Sequence, residues 1–284
     1  MTFAVTGASG QLGRLVAEEL LARVAPEQVV LISRSTDKLA DFAARGAQTR
    51  VGDFDRPETL AAAFAGVDRL LVISTDAVGA RLDGHLAAVR AAAEAGVRHL
   101  LYTSITRPES SNPAAVVPDH VATEQALRDS GVTTTFLRNN VYADFQLDGL
   151  RQAAATGQLV TNTGDGRVAY VTRADCAAVA AAALAGDHTE DTVLDVSGPT
   201  ALAAADLAAI ASRLGDREVQ VVDVDDAAYA AGLIEHAGLP APVADLLTSF
   251  GTSARLGYGD VVTDVVERFT GRPAASLESL LDVR

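Results

Sequence analysis

Residues 3–13 read FAVTGASGQLG: an apolar run breaks into a turn with glycines at Gly7, Gly10 and Gly13, and an amphipathic stretch follows to Val24. A strand, a GxxGxxG turn and a helix in immediate succession form the first βα unit of a parallel sheet, which leaves few folds open. Gly7 allows the tight turn out of the strand. Gly10 lets the backbone approach a pyrophosphate, and Gly13 lets the helix pack on the strand. The helix start, from Gln11 onward, offers unpaired N–H groups and the positive end of its dipole to an anion. The turn therefore reads as a dinucleotide-binding turn, because it follows a strand and opens a helix.

The rest of the chain repeats the alternation. Apolar runs near 3–6, 28–33, 48–51, 69–73, 99–103 and 134–138 read as strands. Helical patterns lie near 11–24, 37–44, 57–64, 80–95 and 119–130. Strands that are apolar throughout and separated by helices predict a doubly wound, Rossmann-like parallel α/β sheet covered on both faces. A division follows: a nucleotide-binding domain over 1–150 and a substrate-binding lobe over 151–284. The lobe reads as smaller and mostly helical, with 192–196 returning to the main sheet and a last helix near 260–269.

Composition narrows the function. The 284 residues carry a net charge of −14, which argues against nucleic-acid or anionic-membrane partners. No apolar window of about 18 residues is free of charge, so no membrane span is expected. The chain opens directly into a strand without a basic leader, and its single cysteine, Cys176, fits a reducing compartment. A cytoplasmic location is expected. Cys176 lies on an alanine-rich helical face and reads as a small buried hydrophobe. The histidines, His85, His99, His120, His188 and His236, show no ligand spacing, and no metal is expected. No G-x-S-x-G elbow follows a strand, which disfavours a serine hydrolase.

The second strand ends in LISRSTDK. An NAD site places an acidic residue there; this chain has Arg34, with Lys38 one turn later, and a guanidinium suits a 2′-phosphate. NADPH is the expected cofactor in preference to NADH, although Asp37 stands close by. In VGDFDR, Asp53 can accept from the adenine amino group with Phe54 beside the ring, or Asp53 can serve as a turn aspartate.

In order along the chain stand TGASGQLG, LISR, GDFD, LLVISTDAVGAR, LYTSI, DHVATEQAL, LRNNVY and GDGRVAYVTRADCAAV. Together they resemble the NmrA-like atypical short-chain dehydrogenase/reductases, closest to the NADPH-dependent type 2 quinone oxidoreductases. The likeness covers nearly the whole chain. It implies flavin-free reduction of quinones, with cofactor contacts at Gly7, Ala8, Ser9, Gly10, Gln11, Leu12, Arg34, Ser74, Thr75 and Asp76. A second group of contacts falls on Arg138, Asn139, Asn140, Val141, Tyr142 and Ala143. The loop ITRPESSNPAAVVPDH departs from the family pattern, and Asn140 stands where a glycine is expected.

The chemistry has a constraint of its own. VIST, YTS and LRNN end the fourth, fifth and sixth strands, so Ser74, Thr75, Ser104 and Arg138–Asn140 converge at the carboxyl edge where ligands of such sheets bind. Ordinary short-chain dehydrogenases use Tyr-x-x-x-Lys, but Lys38 is the one lysine in this chain. The helix that would carry the pair has His120 and Glu124. A quinone needs a proton donor less than a ketone does, because hydride addition gives a delocalised oxyanion that water can protonate. His120 is either a donor to substrate oxygen or a partly exposed structural residue of the first helical turn. Tyr142 either borders the pocket or simply packs. Two other functions remain open: an NADP-binding redox sensor without turnover, and a reductase of a secondary-metabolite pathway. A homo-oligomer is equally open.

Overall fold

The computed structural model describes residues 1–187 and 189–281; His188 and the last three positions of the expected lobe lie outside the described residues. Strands β1 (Phe3–Val5), β2 (Val29–Ser33), β3 (Gln48–Val51), β4 (Arg69–Val72), β5 (His99–Ile105), β6 (Thr133–Asn139) and, later in the chain, β8 (Thr192–Val196) form one sheet. Its order is β3-β2-β1-β4-β5-β6-β8, parallel throughout. The order reverses at β1, which pairs with β2 on one side and β4 on the other. That reversal opens a crevice at the carboxyl edge beside the glycine turn.

Each face is buried. On one side α1 (Gln11–Leu21) packs with α7 (Arg173–Ala185) over Val5, Leu31, Leu71 and Leu101. Alanines along α7 are buried there, and their small side chains let the two helices sit close. On the other side α3 (Leu60–Phe64), α4 (Leu82–Glu94) and α5 (Val117–Asp129) cover Ala4, Val30, Leu70, Leu100 and Tyr102. Between β2 and β3 the short α2 (Ala40–Ala43) seals Phe42 into the core. This two-sided burial is the physical reason β1, β2 and β4 are largely apolar at consecutive positions rather than alternating; β3, QTRV at the sheet edge, is half exposed and not the apolar run expected at 48–51.

The C-terminal region is mostly helical, with α6 (Leu147–Thr156), α8 (Ala204–Gly215), α9 (Asp226–Glu235), α10 (Ala241–Arg255) and α11 (Val265–Thr270). It also holds a parallel pair, β7 (Gln158–Thr161) with β9 (Gln220–Asp223), which the sequence reading missed. These strands are half exposed and carry no unbroken apolar run. The last helix is shorter than expected, starting at Val265 rather than near 260. The preceding residues run along the sheet edge: the Thr263 hydroxyl donates to the Asp195 carbonyl at 2.6 Å, and its amide donates to Ser197 at 2.8 Å. Ser253 on α10 donates to Asn112 at 2.7 Å, so the region is tied to the β5–α5 loop.

Candidate cofactor and substrate site

The turn after β1 has the geometry its glycines require. Gly7 takes φ +61°, a left-handed conformation that strains any side chain. A Cβ at Gly13 would lie 2.2 Å from the Gly7 carbonyl oxygen and 2.8 Å from Ala8 Cα. Ala8 is sealed in, its amide bonded to the Ile32 carbonyl at 3.0 Å. The hydroxyls of Ser9 and Ser33 meet at 2.7 Å, closing the turn onto the end of β2. No side chain caps α1, and the amides of Gln11 and Leu12 have no acceptor among the described residues. These donors fit a pyrophosphate.

Arg34 is exposed at the end of β2 and makes no hydrogen bond or ion pair among the described residues. It is free to meet a phosphate. Lys38 is exposed one turn on, and its carbonyl accepts from Arg14 at 2.8 Å. Arg14, which the sequence reading passed over, is bound to Asp41 and lies over the Phe42 ring at 4.7 Å.

Asp53 has partners within its own turn: its carboxylate accepts from the Asp55 amide and from Arg56 Nε, each at 3.1 Å, the bonds of a turn aspartate. Phe54 packs partly into the core, edge-on to His85 at 6.2 Å.

The segment after β4 is held from beneath. The Ser74 amide donates to Thr103 at 2.8 Å, and the Thr75 amide donates to His85 Nε2 at 3.1 Å. Arg81 reaches the Thr75 carbonyl at 2.7 Å and Asp119 at 2.9 Å, tying this loop to α5. Asp76 is exposed. His85 accepts at Nε2, so Nδ1 carries its proton toward Thr123 at 3.3 Å. Burial, with the Arg81 charge beside it, lowers the His85 pKa to about 4. Nothing in the local sequence marked His85, Thr103 or Arg81; their role arises from contacts across strands.

Ser104 and Arg138, expected at the cofactor, both bond to Glu124. The Ser104 hydroxyl donates to Glu124 at 2.7 Å, and Arg138 donates to both carboxylate oxygens of Glu124 at 3.0 and 2.7 Å. Burial alone would raise the Glu124 pKa, but Arg138, Ser104 and Arg128 together hold it below its usual value. Asn140 is also committed: its amide group donates to the Gly259 carbonyl at 2.9 Å, tying β6 to the C-terminal region. A glycine there would lose that tie. Val141 and Ala143 exchange backbone hydrogen bonds with Val171, and Ala143 is buried.

Asn139 donates to the Tyr142 hydroxyl at 3.3 Å, while its own Oδ1 is enclosed and lacks a partner among the described residues. An orphaned buried acceptor at the carboxyl end of β6 fits a ligand that brings a donor. Tyr142 is half-buried against Phe145, with the Arg173 guanidinium 5.3 Å over its ring, and burial raises its pKa. His120 is not the partly exposed residue considered above. It is 5% exposed, and its Nδ1 lies 2.9 Å from the Tyr102 hydroxyl. Burial, then the Arg81 guanidinium and the neighbouring His85, drive its pKa well below the ordinary histidine value. Cys176 is buried in the core, with its thiol pKa pushed up by burial.

Among the described residues there is no cluster of His, Cys, Asp or Glu suited to a metal, and no helix is long and apolar enough to cross a membrane. The sequence model of a family described as NAD(P)H-binding matches residues 7–187. Quinone oxidoreductase 2 of Escherichia coli K12 is 34% identical over 96% of this chain and 95% of its own. NAD(P)H azoreductase of Xenophilus azovorans is 30% identical over 95% of this chain and 93% of its own. The crystal structure of the Escherichia coli NADPH-dependent quinone oxidoreductase complexed with NADPH superposes with a TM-score of 0.93 at 34% identity, covering 98% of this chain and 97% of that one.

Proposed function

This chain belongs to the NAD(P)H-binding, NmrA-like family of oxidoreductases, and on that premise we propose that it is an NADPH-dependent, flavin-free reductase of quinones and similarly electron-poor aromatic or enone substrates. The observation that carries the cofactor choice is Arg34, unpartnered among the described residues at the end of β2 where an acidic residue would select NADH. When bound, NADPH supplies a hydride. The amides of Gln11 and Leu12 would hold its pyrophosphate, and Arg34 and Lys38 its 2′-phosphate. Ser74, Thr75, Asn139 and Tyr142 would border its reactive ring at the carboxyl edge of β4 and β6.

The substrate class follows from the proton chemistry. The one lysine, Lys38, lies beyond the end of β2, away from α5. Ser104, at the end of β5, is tied to Glu124. The chain thus lacks the Tyr-x-x-x-Lys acid of ketone reduction, a device that contributes about 10²–10⁴-fold. A quinone tolerates that loss, since its reduced oxyanion is delocalised. Placement of the ring against the cofactor then provides most of the rate.

The test is NADPH oxidation followed by absorbance against quinones, azo dyes, enones and aldehydes, with no flavin added. Quinones should turn over, aldehydes poorly, and NADPH should outperform NADH. Stoichiometric flavin in the purified protein, or a strict flavin requirement, overturns direct transfer. Tight NADPH binding with no turnover on any substrate favours a redox sensor.

A further inference from the structure

A line of rings runs under the carboxyl edge of the sheet on its α4–α5 side. Phe54 meets His85 at 6.2 Å, His85 meets Tyr102 at 5.8 Å, and Tyr102 meets His120 at 5.7 Å. Two of its rings are linked to the segment after β4. His85 Nε2 accepts from the Thr75 amide. His120, the last ring, stands in the first turn of α5 next to Asp119, which Arg81 joins to the Thr75 carbonyl. His120 Nδ1 is occupied by Tyr102, whereas its Nε2 has no partner among the described residues and is not sealed from solvent.

We infer that Tyr102 is a positioning residue: its hydroxyl donates to His120 Nδ1 and so fixes the tautomer that presents Nε2–H to the substrate's carbonyl oxygen. The direction of this bond follows from chemistry. Tyr102 is fully enclosed, its hydroxyl lies 2.9 Å from His120 Nδ1, and the neighbouring Thr123 hydroxyl spends its own proton on the Asp119 carbonyl, so donation to Nδ1 gives the buried phenol O–H its partner. A neutral imidazole that accepts at one nitrogen must carry its proton on the other. The groups facing His120 keep it neutral: burial disfavours a charge, and Arg81 and His85 from the β4–α4 side oppose one.

This inference rests on the reductase reading and assigns its oxygen-binding group. The quinone accepts a hydride at the ring, and the electron pair moves to its oxygen. Nε2–H donates a hydrogen bond to that oxyanion and keeps its proton, and water protonates the product. A donor fixed beforehand stabilises developing charge without reorganising.

The experiment is nitrogen-15 NMR of the histidine rings, with His120 assigned by loss of its signals in His120→Gln. At pH 7 the ring should be neutral with its proton on Nε2, and adding a benzoquinone to the NADP⁺ complex should shift Nε2. Tyr102→Phe should yield mixed tautomers and lower quinone kcat about tenfold, with NADPH Kd unchanged. A proton on Nδ1 in the wild-type protein, or an Nε2 resonance indifferent to quinone, overturns the inference even if Tyr102→Phe fails to fold. Absence of turnover alongside a shifted Nε2 counts against the reductase reading and leaves the donor role standing.

Discussion

Glu124 on α5 grips Arg138 on β6 through both carboxylate oxygens, at 3.0 and 2.7 Å, with Ser104 of β5 and Arg128 closing on the same group. One carboxylate thus ties two adjacent strands to the helix that covers them. Glu124 is 2% exposed, and its partner Arg138 is half-buried. Removing one member leaves the other charge without compensation.

Glu124→Ala should therefore destabilise the fold by about 3 kcal/mol, measured by urea denaturation. Because the native pKa is depressed, the Glu124 contribution is complete above the unfolded value of 4.5 and fades as pH falls below it. Glu124→Gln should recover part of the stability by keeping a hydrogen-bond acceptor. Equal stability of wild type and Glu124→Ala would show the cluster to be energetically idle.

His85 gives stability a second pH dependence. Its pKa falls from 6.5 in the unfolded chain to about 4 in the fold, so between those values the unfolded chain binds the extra proton. Stability is complete above pH 6.5 and lost as pH falls toward 4, by about 3 kcal/mol. His120 acts with the same sign. Denaturation at pH 7 and pH 4.5 should show the loss, and His85→Gln should reduce it. A flat profile across this window would contradict a neutral, buried His85.

Arg34→Ala should weaken NADPH binding about ten- to a hundredfold, the usual worth of a charge-assisted contact. NADH binding should barely change, because Arg34 has no structural partner to lose among the described residues. Titration calorimetry with both cofactors decides it; equal losses would refute recognition of the 2′-phosphate.

Gly13→Ala places a methyl group 2.2 Å from the Gly7 carbonyl oxygen and 2.8 Å from Ala8 Cα. Neither backbone atom can yield without opening the turn. The variant should lose about 2 kcal/mol of stability or more and most of its NADPH affinity. Retention of both would mean the turn is not a fixed cradle.

Local pattern made the frame legible before any coordinates. The runs at 28–33 and 69–73 come within a residue of the observed strands, because a strand buried on both faces must be apolar at consecutive positions, whereas 48–51 is a strand at the sheet edge that is half exposed. The missed pair β7 and β9 lies half exposed in the smaller region, where no such demand marks the sequence. The last helix starts late because Thr263 spends its hydrogen bonds on Asp195 and Ser197, distant partners invisible to a local reading.

The sequence by itself determined the glycine turn, the basic residue after β2 and the missing lysine. Each depends on what one residue type can or cannot do at one place: glycine's positive φ, arginine's permanent charge, lysine's absence from α5. Only the tertiary structure decided how the polar residues at the strand ends are used. Ser104, Arg138 and Asn140 occupy positions that look like ligand contacts, yet their partners Glu124 and Gly259 lie 20, 14 and 119 residues away. Asp53 is bound within its own turn, and His120 is drawn inside by Tyr102. Composition and spacing state that a side chain can make a hydrogen bond; which partner it meets is settled when the helices close over the sheet, because a buried polar group without a partner costs more than the bond it makes returns.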